Sequence, residues 1–416
     1  MIGKPDSADI APRGLVPPVL RHRNFSLFFF GLLFSNTGTW MAQTAQAWLV
    51  YELTGSKLIL GTVVGAFGIP MILFPFFGGV IADRIDRRRL LWVTQALAAM
   101  LALLLAVLVV TNHVTVWQII TITILSATVL AFDQPARQAL LPDIVPREDL
   151  RPAVALNSAV YTGGAFLGPA IAGVAVTQFG LPLAGVFFIN AATFGSVMLA
   201  LAAMNLPKAD SSHQRQPVTH TVVEGLRFIA RNELILFVML FSVTISFFGR
   251  SFQALTPVFA NDVLDVGLQG LGWMNSSPGA GALVGAFVIG MGVRLPANGR
   301  LALGSGVIFS LLLIAFALST NFLLSVSLLF FIGLFGSVVM AASRTILQLT
   351  APRELMGRVM SFNTIAVIGF GPVGGFFLGP LAEGVGASLA ILISAAVVVV
   401  VVMLLTIISP VLRGAD

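Results

Sequence analysis

The run Asp83-Arg84-Ile85-Asp86-Arg87-Arg88-Arg89 stands between two stretches of sequence that are free of charged residues. Positions 58–82 hold no Asp, Glu, Lys or Arg, and neither do positions 90–132, where His113 is the one weak base. About 20 apolar residues in a helix cross the hydrocarbon core of a bilayer. Each flank is therefore long enough to span, and the charged run is a short turn held at one membrane face. Short loops rich in arginine mark the cytoplasmic side, which sets the expected direction of the rest of the chain.

Composition points the same way. The 416 residues are 57% hydrophobic and 10% charged, whereas soluble domains carry roughly 25% charged residues. This excludes an ordinary soluble globular protein. The net charge of +6 would suggest nucleic acid in a soluble chain. Here the basic residues fall between apolar runs, so they are read as orientation signals and no nucleic-acid partner is expected. Cysteine is absent, which excludes disulfides, thiolate metal sites and cysteine nucleophiles. The histidines, His22, His113, His213 and His220, have no ligand spacing, so no metal and no cofactor is expected. No G-x-x-x-x-G-K-[ST] phosphate loop occurs, which argues against an ATP-driven pump. No nucleophile–base pair stands in an apolar run, so an enzyme is not expected. Met1–Val19 lacks an apolar core and is not read as a signal peptide.

Charge-free length and turn residues predict twelve transmembrane helices in an all-α membrane protein. Residues 24–51 form the first span and 58–82 the second. Residues 90–132 hold two more, split at Thr111-Asn112-His113, and the fourth ends around Asp133-Gln134-Pro135. Residues 152–207 hold two, split at Phe179-Gly180-Leu181-Pro182. In the second half, spans lie at about 234–260 and 266–293. Two occupy 301–343, split at Ser319-Thr320-Asn321, and two follow Arg358, split at Glu383-Gly384-Val385-Gly386. The expected organisation is a tail (1–23), a six-helix bundle (24–207), a linker with an amphipathic helix (208–231), a second six-helix bundle (232–412) and a tail (413–416). This layout puts all of the 23 basic residues except Lys57 and Arg250 on one side. Both termini are then cytoplasmic, in a multi-pass protein of the inner (plasma) membrane.

The halves repeat each other. Arg137, Pro146-Arg147-Glu148 and Asn157 are matched by Arg344, Pro352-Arg353-Glu354 and Asn363, with one gap after the leading arginine. Each copy leads into Phe-Leu-Gly-Pro, at 166–169 and 377–380. Paired six-helix repeats are what alternating-access carriers are built from, with the solute near the midplane.

Gly79, then Asp83-Arg84 and the basic run Arg87-Arg88-Arg89, resembles the loop between helices two and three of the major facilitator superfamily, G-x-x-x-D-R-x-G-R-R-R. Asp86 stands where that pattern has glycine. The runs Ala47–Ser56 and Asp133–Pro142 are similar to the branch containing enterobactin-type siderophore exporters and macrolide-efflux-like carriers, the transmembrane secretion effector type. Gly164, Gly168 and Pro169, and likewise Gly371 and Pro372, resemble the Gly-Pro motif of drug–proton antiporters. Glycine at this spacing also lets any two helices approach closely. The resemblance implies that Asp83 latches the halves on the cytoplasmic face, with Arg87, Arg88 and the region of Arg358 as partners. The alternative is a topology marker only.

Asn36, Thr39, Gln43 and Gln46 share one helical face beside Trp40. That face either bonds neighbouring helices or lines a solute cavity, as do Asn157, Tyr161 and Asn363 on the repeated helices. Asp133 is expected at the inner end of span four. It either exchanges protons, with Arg137 beside it, or pairs structurally with Arg137 at i+4 or with Arg344. Arg250 either binds an anionic solute or snorkels outward, and snorkelling is the preferred reading. The expected function is secondary export of a small molecule, a siderophore or drug-like amphipathic compound, by proton antiport, with the bilayer and protons as partners and a monomeric chain. An importer, a non-transporting receptor or assembly protein, and a lipid-moving protein fit the same spans.

Overall fold

In lipid every backbone polar group must be satisfied within the protein, which leaves helices as the means of crossing for an apolar chain with this pattern. The computed structural model describes residues 17–75, 85–204, 218–290 and 299–408. No strand occurs among them. The helices are α1 (Arg23–Thr54), α2 (Lys57–Leu73), α3 (Arg87–Val110), α4 (Val116–Ile144), α5 (Leu150–Thr177) and α6 (Leu183–Ala203). They continue with α7 (Val218–Arg231), α8 (Glu233–Val263), α9 (Gly267–Gly290), α10 (Gly299–Ala317), α11 (Phe322–Thr350), α12 (Met356–Val385) and α13 (Ala387–Ile408). Nine of these described helices are long and apolar enough to cross a membrane; α1, α2, α7 and α9 fall outside that count.

Among the described residues, the turns expected at 111–113, 179–182, 319–321 and 383–386 are where the sequence placed them, while those around 79–84 and 294–298 lie outside the described residues. Asn112 takes a positive φ of 56° between α3 and α4, a conformation asparagine tolerates. Thr115 and Gln118 form a capping box at the start of α4. Ser56, Asp86, Asn232 and Asn321 cap α2, α3, α8 and α11 through side-chain oxygens. Gly55 closes α1 with φ 59°, which a residue with a Cβ would resist. The linker helix α7 is amphipathic, with Ile229 buried and Val223 and Leu226 exposed.

One expectation is corrected. Helix α4 does not end near Pro135; it runs on through Pro135 and Pro142 to Ile144. A proline costs an intramembrane helix one amide bond, and packed neighbours make that tolerable. Asp133 therefore lies well inside a helix instead of at its end.

Within the first half, α1 packs on α5 and α6, α3 on α4 and α6, and α2 on α4. Within the second, α11 packs on α9 and α10, and α13 on α10 and α12. Across the halves the main contacts are α2 with α12 and α5 with α9. The sequence repeat pairs α5 with α12, so the two crossings are the same contact with the copies exchanged, as a two-fold relation requires. The described charges separate by end. Arg23, Arg87–Arg89, Arg147, Arg231 and Arg358 gather at one; Lys57, Asp262 and Glu383 stand at the other.

Candidate functional site

Asp133 is 2% exposed. One carboxylate oxygen accepts from the Thr94 hydroxyl and the Gln95 amide, each at 2.7 Å, and the other meets the Arg137 guanidinium in an ion pair at i+4. These partners come from α3 and α4, so the group is a polar knot inside the first half. Arg344, its alternative partner, is exposed.

At the arginine-rich end, Arg87 donates to Asp143 at 2.5 Å and to the Ala139 carbonyl at 3.0 Å, both on α4. Arg88 reaches the Ala202 carbonyl at 3.4 Å, and the Arg89 amide donates to the capping Asp86 at 2.9 Å. Arg358 pairs with Glu224 of the linker helix. Gly79, Asp83 and Arg84 lie outside the described residues. The partners expected for Asp83 thus make contacts of their own.

The polar face of α1 divides. Gln46 donates to Thr123 on α4 at 2.8 Å, and Thr39 donates to the Ser35 carbonyl of its own helix. Gln43 is exposed. Asn36 and Trp40 face Gly164, and a Cβ on Gly168 would stand 2.6 Å from Trp40 Cβ and 2.7 Å from the Thr37 carbonyl. The first Gly-Pro motif therefore seats α5 against α1. Trp40 also meets Tyr161 edge-on, centroids 5.7 Å apart. Asn157 is partly exposed, whereas its repeat counterpart Asn363 is 8% exposed with an amide nitrogen that has no hydrogen-bond partner among the described residues.

The second Gly-Pro motif lies beside a break that the sequence did not reveal. Helix α8 contains a π turn at Ile245–Gly249 and then a 3-10 turn at Ser251–Leu255, with Arg250 at the junction. Helix α12 contains a π turn at Ile365–Gly369, just before Gly371 and Pro372. The two turns touch, and the Ser246 hydroxyl donates to the Val367 carbonyl at 3.4 Å. Interruptions of this kind concentrate at functional sites. Arg250 is near the middle of α8 and does not snorkel. Its guanidinium approaches Met340 Sδ at 3.8 Å.

At the end away from the arginines the halves are clasped. The Tyr51 hydroxyl donates to Asp262 at 2.5 Å, and Glu383 accepts from the amides of Lys57 and Leu58. Asn275 reaches Thr44 at 3.5 Å. Below these bonds the backbones meet directly. A Cβ on Gly61 would lie 2.6 Å from Gly379 Cα, and one on Gly272 would lie 2.6 Å from the Pro169 carbonyl. The sequence marks these turns and glycines but carries no sign of which partner each finds.

The described residues are helical, and α8 and α12 are each interrupted by a π turn where they meet. Residues 14–414 match the transmembrane secretion effector family. The chain belongs to that family. As a transmembrane secretion effector it is a multi-pass membrane transporter of the major facilitator superfamily, not an enzyme, and its cargo is a small-molecule solute. It is 24% identical over 377 residues to the multidrug efflux pump Tap of Mycolicibacterium fortuitum, covering 88% of this chain and 91% of Tap. It is 24% identical over 337 residues to the staphyloferrin A transporter of Staphylococcus aureus, covering 80% and 83%. The fold is similar to that of the nucleoside transporter NupG, with a TM-score of 0.70 at 14% identity, covering 95% of this chain and all of NupG.

Proposed function

We propose that this transmembrane secretion effector is a twelve-span secondary exporter of a siderophore or drug-like amphipathic molecule, working by alternating access and proton antiport. The observation that carries the proposal is that, among the described residues, side-chain bonds between the halves gather at one end. Tyr51–Asp262 and Glu383–Lys57 join the halves at the end away from the arginines, whereas the Arg87–Asp143 pair at the other end stays within one half. A carrier caught open to one side has this asymmetry. The positive-inside rule makes the arginine-rich end cytoplasmic, so the state is inward-facing and both termini are cytoplasmic in the inner membrane.

Nine apolar helices, with α1, α2 and α9, supply the twelve spans. The six-helix units are 24–207 and 232–412, and 208–231 links them. The efflux pump named among its relatives supports export. Asn36, Trp40, Gln43, Asn157, Tyr161 and Asn363 contribute to the solute path, and Asp83 latches the cytoplasmic end in the alternate state. Asp133 is the coupling carboxylate: a proton arriving there would release Arg137.

Purified protein in proteoliposomes should move solute uphill only while a pH gradient is imposed, toward the acid side. Flux that ignores the gradient would remove antiport, and flux away from the acid side would make the chain an importer. Asp133→Asn should abolish uphill movement and spare downhill exchange; retained uphill movement in a folded variant would take Asp133 out of the coupling. Single cysteines at Asp86 and Ser212 should react with an impermeant thiol reagent from the cytoplasmic side only, and those at Lys57 and Glu383 from outside only. The absence of native cysteine makes that test direct.

A further inference from the structure

An ionisable side chain in the middle of a membrane helix is costly, and it finds a partner or serves a function. Arg250 sits at the break in α8 with no carboxylate paired to it among the described residues. Asp133 is engaged by Arg137, Thr94 and Gln95. The side chain that the Arg250 guanidinium meets is a thioether. Met340 Sδ is a weak acceptor at 3.8 Å, and the aromatic pair Trp40 and Tyr161 stands on the opposite half. Tyr161 and Met340 are 47% and 42% exposed, so neither side chain is sealed within a helix contact. Behind it Gly371 leaves room: a Cβ there would only just touch Arg250 Cβ, at 3.9 Å.

The repeat sharpens this. Asp133 precedes Arg137 by one helical turn, and Met340 precedes Arg344 by the same step. The position that carries a carboxylate in the first copy thus carries a thioether in the second, and that thioether faces the unpaired guanidinium. The anion missing from the protein is one that a solute can bring.

We propose that Arg250 is the anion-binding residue of the solute site, taking the carboxylate of a small organic acid whose aromatic or apolar body rests on Trp40, Tyr161 and Met340. A guanidinium binds a carboxylate through two parallel N–H donors. Arg250 and Met340 belong to the second half and Trp40 and Tyr161 to the first, so a solute that reaches from the guanidinium to the rings touches both. The inference rests on the transport reading for the solute's passage but not for its binding.

Wild-type protein in nanodiscs should bind 1-naphthoate about tenfold or more tightly than its neutral match 1-naphthamide, measured by calorimetry. Arg250→Gln should abolish that preference and leave naphthamide unchanged, and Arg250→Lys should restore part of it. Met340→Glu supplies an internal carboxylate, so it should raise the unfolding temperature without ligand and abolish the preference for naphthoate. Equal behaviour of the two probes with the wild type, including no binding of either, overturns the proposal. So does an Arg250→Gln protein that keeps the preference. If Arg250→Gln does not fold, Met340→Glu decides: loss of the preference supports the site and retention overturns it. Binding with this preference but no flux in proteoliposomes would remove the transport reading alone, and flux without the preference would remove the anion site alone.

Discussion

The carboxylate of Glu383, near the end of α12, caps the first turn of α2 by accepting from the amide of Lys57 at 2.8 Å. The Leu58 amide donates to the same oxygen at 3.1 Å, with the Ser56 hydroxyl 3.4 Å away. The first amides of a helix have no partner within it and attract a negative charge. The adjoining Ser56 supplies the usual cap for Ile59. Glu383 adds a second from the other half of the chain, so a local device of helix formation fastens two bundles together.

Removing the cap should loosen that end. Contact between a charge and a helix terminus is worth about 0.3–1 kcal/mol, and Asp262 adds a comparable tie to Tyr51. Glu383→Ala and Asp262→Asn should each raise the open fraction at this end by about two- to fivefold, and together by more. Spin labels on cysteines replacing Leu53 and Val385, both exposed there, would report it as a longer distance. An unchanged distance distribution in the double variant would show that the clasp has no weight.

Glycine-to-alanine changes should sort by seam. Gly61→Ala drives a methyl into the backbone of α12, at Gly379 Cα, and the clash is relieved when the halves part. It should shift the same spin-label distances outward with little change in unfolding temperature. Gly168→Ala meets Trp40 and Thr37 within one half, where no motion relieves it. Overpacking of this kind costs about 1–3 kcal/mol, and a lower unfolding temperature should be the main effect.

The Asp133 knot should be unforgiving of single changes. Arg137→Gln leaves a buried carboxylate without its counter-charge, a loss of about 3–5 kcal/mol. Thr94→Val removes one hydrogen bond to Asp133, worth about 1 kcal/mol. Replacing Asp133 and Arg137 together with leucine should recover much of the stability lost by either alone. Unfolding curves in nanodiscs would rank the four proteins.

The Arg87–Asp143 pair gives the opposite case. Both side chains are about one-third exposed, at 32% and 34%, and pairs open to solvent contribute about 0–1 kcal/mol. Arg87→Gln should change stability by less than Arg137→Gln in the same assay.

The parts of the fold that depend on local rules were legible. Asn112, Gly180 and Asn321 are turn formers between apolar runs, and the chain turns at each. The pairing of Asp133 with Arg137 follows from i+4 spacing alone. Helix α4 was cut short because Pro135 reads as a stop in water, whereas lipid penalises an interrupted helix more heavily than a missing bond. For Arg250, inside the span predicted at 234–260, snorkelling is the preferred reading because a lone arginine in an apolar run reaches for water. The continuation of α8 to Val263 and the π turn beside Arg250, which has no sequence signature, place it near the helix centre. Tyr51, Asp262 and Glu383 each stand in a predicted turn, but their pairing is a matter of tertiary approach.

The seams between halves are made where Gly61 faces Gly379 and Gly272 faces Pro169 and Gly173, main chain against main chain. Such a bearing surface has almost no vocabulary: any side chain larger than hydrogen jams it. The residues around Arg250 and Tyr161 stand on other faces of the same bundle and are under no such rule. Cargo preference can then be rewritten by ordinary substitution while the moving parts stay fixed, so an altered spectrum of transported compounds should be reachable without relearning how to move.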